Sequence, residues 1–207
     1  MGRPKEFNEN DVIVQAMNLF WEKGFAGTSL DALEQTTGLN RSSMYNSFGG
    51  KLDLFCKSLD AYSAGPCMVL SRSFRVDSGA AAILGYLDAL RAFMQSRDAN
   101  KGCLMVNTSI EAITKAVVRE RVEMHFRVLR ADFLTAYTVG LEEGSVNSVL
   151  TPEEAADWLL TFVRGVMVSA IVGESHEVLE RSISSATKQI LVQGQYLRQL
   201  RGMKARM

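Results

Sequence analysis

The sequence predicts an all-α chain, with short helices crowded into its first 50 residues and longer ones after them. Proline stands only at positions 4, 66 and 152 of 207 residues, and Gly and Ser fall between long segments whose apolar residues repeat every three to four positions. No run alternates apolar and polar residues as a half-buried strand would.

In the first helix Val12, Ala16, Leu19 and Phe20 share one face; Asn8 supplies the cap with Asp11 three residues on, and Phe7 can staple onto Val12. Gly24 ends it. Thr28 and Asp31 make a capping pair, and Leu30 and Leu33 give the short second helix an apolar face before Gly38 stops it. Asn40 caps a third helix from Arg41 to about Phe48, where Met44 can close a staple onto Leu39. Gly49 and Gly50 then break the chain, and a fourth helix begins near Lys51.

Two short helices joined by a turn containing Gly38 form a helix-turn-helix arrangement. Such a motif lays its second helix in the DNA major groove, so that helix needs small or polar residues outside and apolar ones inside. Arg41, Ser42, Ser43, Tyr45, Asn46 and Ser47 supply the outer face, and Leu39, Met44 and Phe48 the inner one.

The string Thr-Ser-Leu-Asp-Ala-Leu over 28–33, followed by Thr-Gly-Leu-Asn-Arg-Ser-Ser-Met-Tyr-Asn-Ser-Phe-Gly-Gly-Lys over 37–51, resembles the DNA-binding domain of the TetR family of transcriptional regulators. Leu-Phe-Trp-Glu-Lys-Gly-Phe over 19–25 fits the end of that family's first helix. The resemblance implies a helix-turn-helix DNA-binding domain over 1–50 and a larger helical ligand-binding and dimerisation domain over 51–207. It also implies phosphate contacts from Thr28, Tyr45 and Lys51, and base-edge positions for Arg41, Ser42, Ser43 and Asn46. Arg suits guanine O6/N7 and Asn suits adenine N6/N7. Two residues depart from the family pattern: Leu52 stands where an acidic residue usually follows the lysine, and Gly50 where Asp or Ser often caps.

Charge sets a limit on this reading. The chain carries 23 Lys+Arg against 23 Asp+Glu, so no global field holds it on nucleic acid. Residues 1–60 hold six basic residues against eight acidic ones. Arg3, Lys5, Arg41 and Lys51 lie in the arm and motif that would face DNA, whereas Glu22, Asp31, Glu34, Asp53 and Asp60 lie on helices that can turn their carboxylates away. Low non-specific affinity and a modest salt slope are expected. Arg3 and Lys5 either reach a minor groove or belong to a frayed terminus.

Further helices are expected near 51–63, 80–97, 103–113, 115–143, 152–172 and 176–201, with a short segment at 67–74; Gly65-Pro66 and Arg75–Gly79 mark breaks. Thr151-Pro152-Glu153-Glu154 combines a cap, proline at the first helical position and a capping-box glutamate. From Ala155 to Val172 almost no polar face remains, so this helix is expected to be covered by its own subunit and by another. Leu179, Ile183, Ala186, Ile190, Gly194 and Leu197 repeat close to a coiled-coil seam. The last two helices, 152–172 and 176–201, are thus expected to form a homodimer interface; a monomeric core is the alternative.

A pocket for a small-molecule inducer would be lined by apolar and aromatic residues of the middle segment. Phe93, Phe126, Phe133, Tyr137, Trp158 and Phe162 are the candidates, with plain core as their alternative role. Lys101-Gly102-Cys103-Leu104 puts a thiol at an expected helix N-terminus beside a lysine, where dipole and charge favour thiolate. Gly102-Cys103-Leu104 also resembles a subset of the family that includes the N-ethylmaleimide-responsive repressor, some members of which sense electrophiles or oxidants through cysteine; packing is the other role open to Cys103. Cys56 and Cys67 read as small apolar core residues. His125 and His176 read as lone histidines, with no metal site and no cofactor expected.

Three cysteines at spacings that match no zinc or redox motif fit a reducing cytoplasm. No signal peptide follows Met1-Gly2-Arg3, and the most apolar stretch, Trp158 to Val172, is interrupted by Arg164 and falls short of the roughly 18 to 20 residues a bilayer needs. The basic tail of Arg198, Arg201, Lys204 and Arg206 reads as solvated. No Walker-type loop, His-Glu-x-x-His or nucleophile elbow suggests an enzyme. The expected function is a sequence-specific repressor, released from a near-palindromic double-stranded operator by a small-molecule, electrophile or oxidant inducer. Its rivals are a helical small-molecule binding protein and a sequence-tolerant DNA binder.

Overall fold

The computed structural model describes residues 7–111 and 115–192. Its helices are α1 (Glu9–Gly27), α2 (Leu30–Thr37), α3 (Arg41–Phe48), α4 (Lys51–Ala64), α5 (Pro66–Leu70), α6 (Ser73–Val76), α7 (Gly79–Met94), α8 (Leu104–Ile110), α9 (Ala116–Glu142), α10 (Pro152–Ile171) and α11 (His176–Ile190), with a 3-10 turn at Ala99–Lys101. Among the described residues the β contribution is one isolated antiparallel bridge, Val146 to Leu191. No described helix is long and apolar enough to cross a membrane. The chain forms two compact units, Met1–Cys67 with Cys103–His125, and Met68–Gly102 with Phe126–Met207.

The first unit is organised on α1, whose Val12, Ala16, Leu19 and Phe20 are buried as their spacing requires. α1 packs against α2, α4 and α8. Phe20 meets Phe55 of α4 edge to face with ring centroids 4.8 Å apart, and Trp21 meets Tyr62 at 5.2 Å. Asn8 caps α1 by accepting from the Asn10 N–H at 2.9 Å, while the Phe7 ring sits 6.3 Å from that of Phe48. The helix breaks at Gly24, which leaves helical geometry at φ 71°, and one more turn follows to Gly27. Arg121 of α9 grips Asp60 of α4 with two hydrogen bonds, 2.9 and 3.2 Å.

The cap of α2 differs from the sequence expectation by one residue. Ser29, rather than Thr28, accepts the Ala32 N–H at 3.1 Å. Thr28 is fully buried and its hydroxyl donates to the Gly24 carbonyl at 2.7 Å, so it closes the end of α1 and its neighbour opens α2.

In the second unit α11 packs against α7 and α10. Leu179, Ile183, Ala186 and Ile190, the first four residues of the apolar repeat, are buried within this single chain. The helix also ends at Ile190 rather than running to 201: Leu191 turns extended (φ −81°, ψ 146°) and bridges to Val146, while the Asn147 N–H donates to the Ile190 carbonyl at 2.9 Å. Gly194, Leu197 and the basic tail lie outside the described residues, as do Arg3 and Lys5.

α10 opens with the expected capping box, Thr151 and Glu154 each accepting from the other's backbone N–H. It is not covered all round by its own chain. Ala155, Ala156, Leu159, Leu160, Val163, Val166, Met167 and Ala170 are buried, while Trp158 and Ile171 are 36% and 41% exposed. Gly102 faces this helix: at φ 63°, a Cβ there would lie 2.6 Å from the Ile171 side chain and 3.1 Å from the Met167 carbonyl oxygen, so both conformation and space demand glycine.

Candidate nucleic-acid interface and effector site

The helix-turn-helix is built by α2, the turn at Gly38 and α3. Gly38 adopts the left-handed conformation and returns its N–H to the Glu34 carbonyl at 2.9 Å. Asn40 then accepts the Ser43 N–H at 2.8 Å and opens α3. Leu39, Met44 and Phe48 are buried beneath it. Arg41, Ser42, Tyr45 and Asn46 stand exposed on the other face, and Ser43 is half-buried. Small polar side chains on a firmly seated helix suit a groove reader, because the backbone can come close to the base edges.

Arg41 does not stand free on that face. Its guanidinium is hydrogen-bonded to Asp31 and, through Nε at 3.2 Å, to Glu34, whose other oxygen accepts the Arg41 N–H at 2.8 Å. Asp31 and Glu34 therefore do not turn away from the motif as the charge argument expected; they hold its arginine and raise its pKa, Asp31 contributing most. All three groups remain solvent-accessible, so the grip is one that DNA can compete with.

Tyr45 and Lys51 flank the C-terminal end of α3. The Tyr45 ring lies over Gly50, where a Cβ would fall 2.9 Å from the ring edge at φ 127°. The missing Asp or Ser cap at position 50 thus has a steric reason: the ring occupies the space a side chain would need. Lys51 opens α4 with its ammonium 4.3 Å from the centre of the Phe25 ring, a cation–π contact that positions the charge without a carboxylate at position 52. Burial pulls the Lys51 pKa below the ordinary lysine value, opposed by the Glu111 carboxylate. Glu111, at the end of α8, also accepts from the N–H groups of Phe25, at 2.9 Å, and Ala26. This carboxylate on the exposed turn of α1 is a tie that no sequence motif announced.

Residues 12–56 match the profile of the bacterial regulatory proteins of the tetR family, and residues 79–186, more than half of the chain, match that of the tetracyclin repressor-like C-terminal domain. The chain belongs to the tetR family. Among curated relatives, the HTH-type transcriptional repressor ComR of Escherichia coli (strain K12) is 28% identical over 188 residues, 86% of each chain. A cysteine mutant of the TetR family regulator CifR, solved with 26 bp double-strand operator DNA, superposes with a TM-score of 0.81 at 24% identity, covering 91% of this chain and 100% of that one. The reduced form of E. coli NemR superposes with a TM-score of 0.78 at 22% identity, covering 87% and 95%. At these identities the two solved structures speak to the tetR fold.

The effector residues expected in this tetR chain fare differently from one another. Phe133 and Tyr137 are fully buried: Phe133 meets Phe74 and Tyr86 at 5.1 Å each, and the Tyr137 hydroxyl donates to the Asn147 carbonyl at 2.6 Å. Phe126 is buried with the Arg164 guanidinium 3.8 Å above its ring, and Phe93 is half-buried. Trp158 and Phe162 stack at 5.8 Å and line a groove of 550 Å³ together with Val178, Ser182, Ser185 and Gln189. A larger concavity of 830 Å³, lined by Arg75, Ser78, Leu84, Glu143, Ser145 and neighbours, contains none of the six aromatic residues.

Cys103 holds the N-terminal cap position of α8 and is buried. The Cys67 thiol, donating to its sulfur, is the main cause that lowers its pKa to about 7; burial opposes this, and the N–H groups of Val106 and Met105 and the Tyr62 hydroxyl assist. Cys67 in turn is pushed far up by its bond to Cys103 and by burial. The lysine expected to activate Cys103 is engaged with Asp98, its ammonium 2.7 Å away. Cys67 is therefore buried as expected, but it has a polar role the sequence did not announce. His125 is not lone: its Nε2 lies 3.9 Å from the Cys67 sulfur, 58 positions away in sequence.

Proposed function

We propose that this chain is a homodimeric, sequence-specific DNA-binding repressor whose α3 reads a near-palindromic operator. The observation that carries the reading is α3 itself: a capped helix seated on Leu39, Met44 and Phe48, with Arg41, Ser42, Tyr45 and Asn46 exposed opposite. Tyr45 and Lys51, with the N-terminal end of α2 at Thr28 and Ser29, take the phosphates, while Arg41, Ser42, Ser43 and Asn46 face base edges. Because the Thr28 side chain is enclosed, Ser29 and the adjoining backbone N–H groups offer the α2 contact. The operator complex of the CifR relative supports a double-stranded DNA partner.

The division of labour runs at residue 50, with 1–50 binding DNA and 51–207 binding effector and partner. The homodimer forms through the last two helices, on the face that Trp158, Phe162, Val178, Ser182 and Ser185 leave uncovered rather than on the buried seam. A twofold pair presents two α3 helices about one DNA turn apart or somewhat more. A small-molecule, electrophile or oxidant inducer, the last two acting at Cys103, favours a dimer whose α3 spacing no longer fits the half-sites. Since Cys103 is buried, such a reagent reaches it only when α8 opens. No described helix is long and apolar enough to cross a membrane, and the cytoplasm is the proposed location.

The test is direct. Purified protein is titrated against genomic fragments, with sedimentation of the complexes formed. Two chains per bound duplex and saturable binding to a few fragments are expected. Binding to every fragment alike, or a monomer on each duplex, would overturn the reading.

A further inference from the structure

We propose that Cys67, Cys103 and His125 form a binding site for a thiophilic d10 metal ion, Zn²⁺ in the first place. The three residues come from three elements, α5, the cap of α8, and α9, all in the first unit. Their ligand atoms lie within 4.8 Å of one another, and Cys67 Sγ is 3.9 Å from His125 Nε2. One zinc ion with bonds of about 2.3 Å to sulfur and about 2.0 Å to nitrogen holds tetrahedral neighbours roughly 3.6 Å apart. The Cys67–His125 pair therefore needs to close by a few tenths of an ångström, and the other pairs by no more than about 1 Å, to share one ion.

The donor set selects the ion. Two sulfurs and an imidazole with no carboxylate are soft ligands, which favour Zn²⁺ and Cu⁺ and disfavour Mg²⁺, Ca²⁺ and Mn²⁺. Both sulfurs are buried, 8% and 6% exposed for the two residues, so the net charge of the loaded site matters. Zn²⁺ binding displaces one proton from each thiol to solvent and leaves two thiolates, a neutral imidazole and a dication, a sum of zero. Cu⁺ in the same ligands leaves one negative charge, and for that reason Zn²⁺ is placed first. Tyr62, buried beside Cys103, supplies a hydroxyl to the sulfur from outside the ligand shell.

The positions of the ligands say what binding would do. Cys67 closes the first chain segment of the first unit, Cys103 opens its second segment, and His125 closes it. One ion ties these three ends together in the unit that carries α2 and α3. Resting on the DNA-binding reading above, metal loading then stiffens this unit and alters operator affinity.

The experiment uses the full chain, reduced and stripped with chelator. Co²⁺ serves as optical probe, Zn²⁺ is added to displace it, and Cu⁺ is titrated separately without oxygen against a chromophoric chelator. One ion per chain, a thiolate-to-cobalt charge-transfer band and between one and two protons released per Zn²⁺ at neutral pH are expected. Cys103→Ser and His125→Gln should each weaken uptake by more than the roughly 10- to 100-fold that loss of an outer partner produces; Cys56→Ser should leave it unchanged. His125 is half-buried, so its variant keeps helical content and separates ligand loss from unfolding. Uptake of Cu⁺ without Zn²⁺ through the same residues keeps the site and assigns its ion. No uptake, uptake indifferent to both ligand variants, or loss in Cys56→Ser would overturn it, as would a Cys67–Cys103 disulfide formed in air by a reduced chain that takes up no metal. Metal uptake with unchanged DNA affinity would remove the regulatory clause alone. Failure to bind any DNA, loaded or stripped, would instead defeat the DNA-binding reading.

Discussion

Helices α3 and α8 are both short, and a polar residue holds the N-terminal cap position of each, yet only one of them could be read from its own residues. Asn40 finds its partner, the Ser43 N–H, three positions on, and the glycines that bound α3, Gly38 before it and Gly49 after it, lie within a few positions of its ends. Cys103 also stands at a cap position, but the side chains gathered around its sulfur, Cys67, Tyr62 and His125, are all far from it in sequence. Spacing rules describe contacts along one helix and are silent about contacts between helices far apart in the chain. The exposed second helix of the helix-turn-helix is accordingly legible, and a buried thiol cluster is not.

The largest effect expected at α3 is that of Met44→Ala. Met44 is wholly enclosed, and its truncation should lower stability by about 2 to 5 kcal/mol and abolish DNA binding, checked by urea unfolding and a binding titration. A fully stable variant would mean that α3 is not seated as described. Next, Lys51→Ala and Tyr45→Phe should weaken binding to all DNA sequences alike, whereas Arg41→Ala should also relax preference at one base pair by about an order of magnitude. Uniform loss for Arg41→Ala would make the arginine a clamp on Asp31 and Glu34 rather than a reader.

Glu111→Gln sits between the two regions. Removing the carboxylate that receives the Phe25 and Ala26 N–H groups should lower stability by about 1 kcal/mol and change the inducer response more than DNA affinity. A pure stability loss with an unaltered response would dissociate α8 from the switch. The smallest effect is at Cys103→Ser, which, free of metal, should bind DNA as the metal-free parent chain does while losing its response to N-ethylmaleimide; an unchanged response would leave Cys103 a packing residue.

The misread positions share a physical cause. Thr28 and Ser29 are both able caps, and what decides between them is that Thr28 is buried against Gly24, a contact with the preceding helix. The apolar repeat of α11 was legible as a face, but no repeat says whether that face meets its own chain or another. Its end at Ile190 is set by the bridge to Val146, more than 40 positions earlier. Asp31 and Glu34 lie one helix away from Arg41, across the turn, so a residue-by-residue count of charge could not tell that they hold it. By contrast Asn40, Gly38 and the Thr151 capping box were legible because cap and partner lie within one turn.

The most direct test of α3 as the reading element is selection of bound duplexes from a random pool by the parent chain and by Asn46→Ala. The account predicts two related half-sites in inverted order for the parent chain, with preference lost at one symmetric pair of positions in the variant. Enrichment of no sequence at low salt, or an identical motif from both proteins, would contradict it.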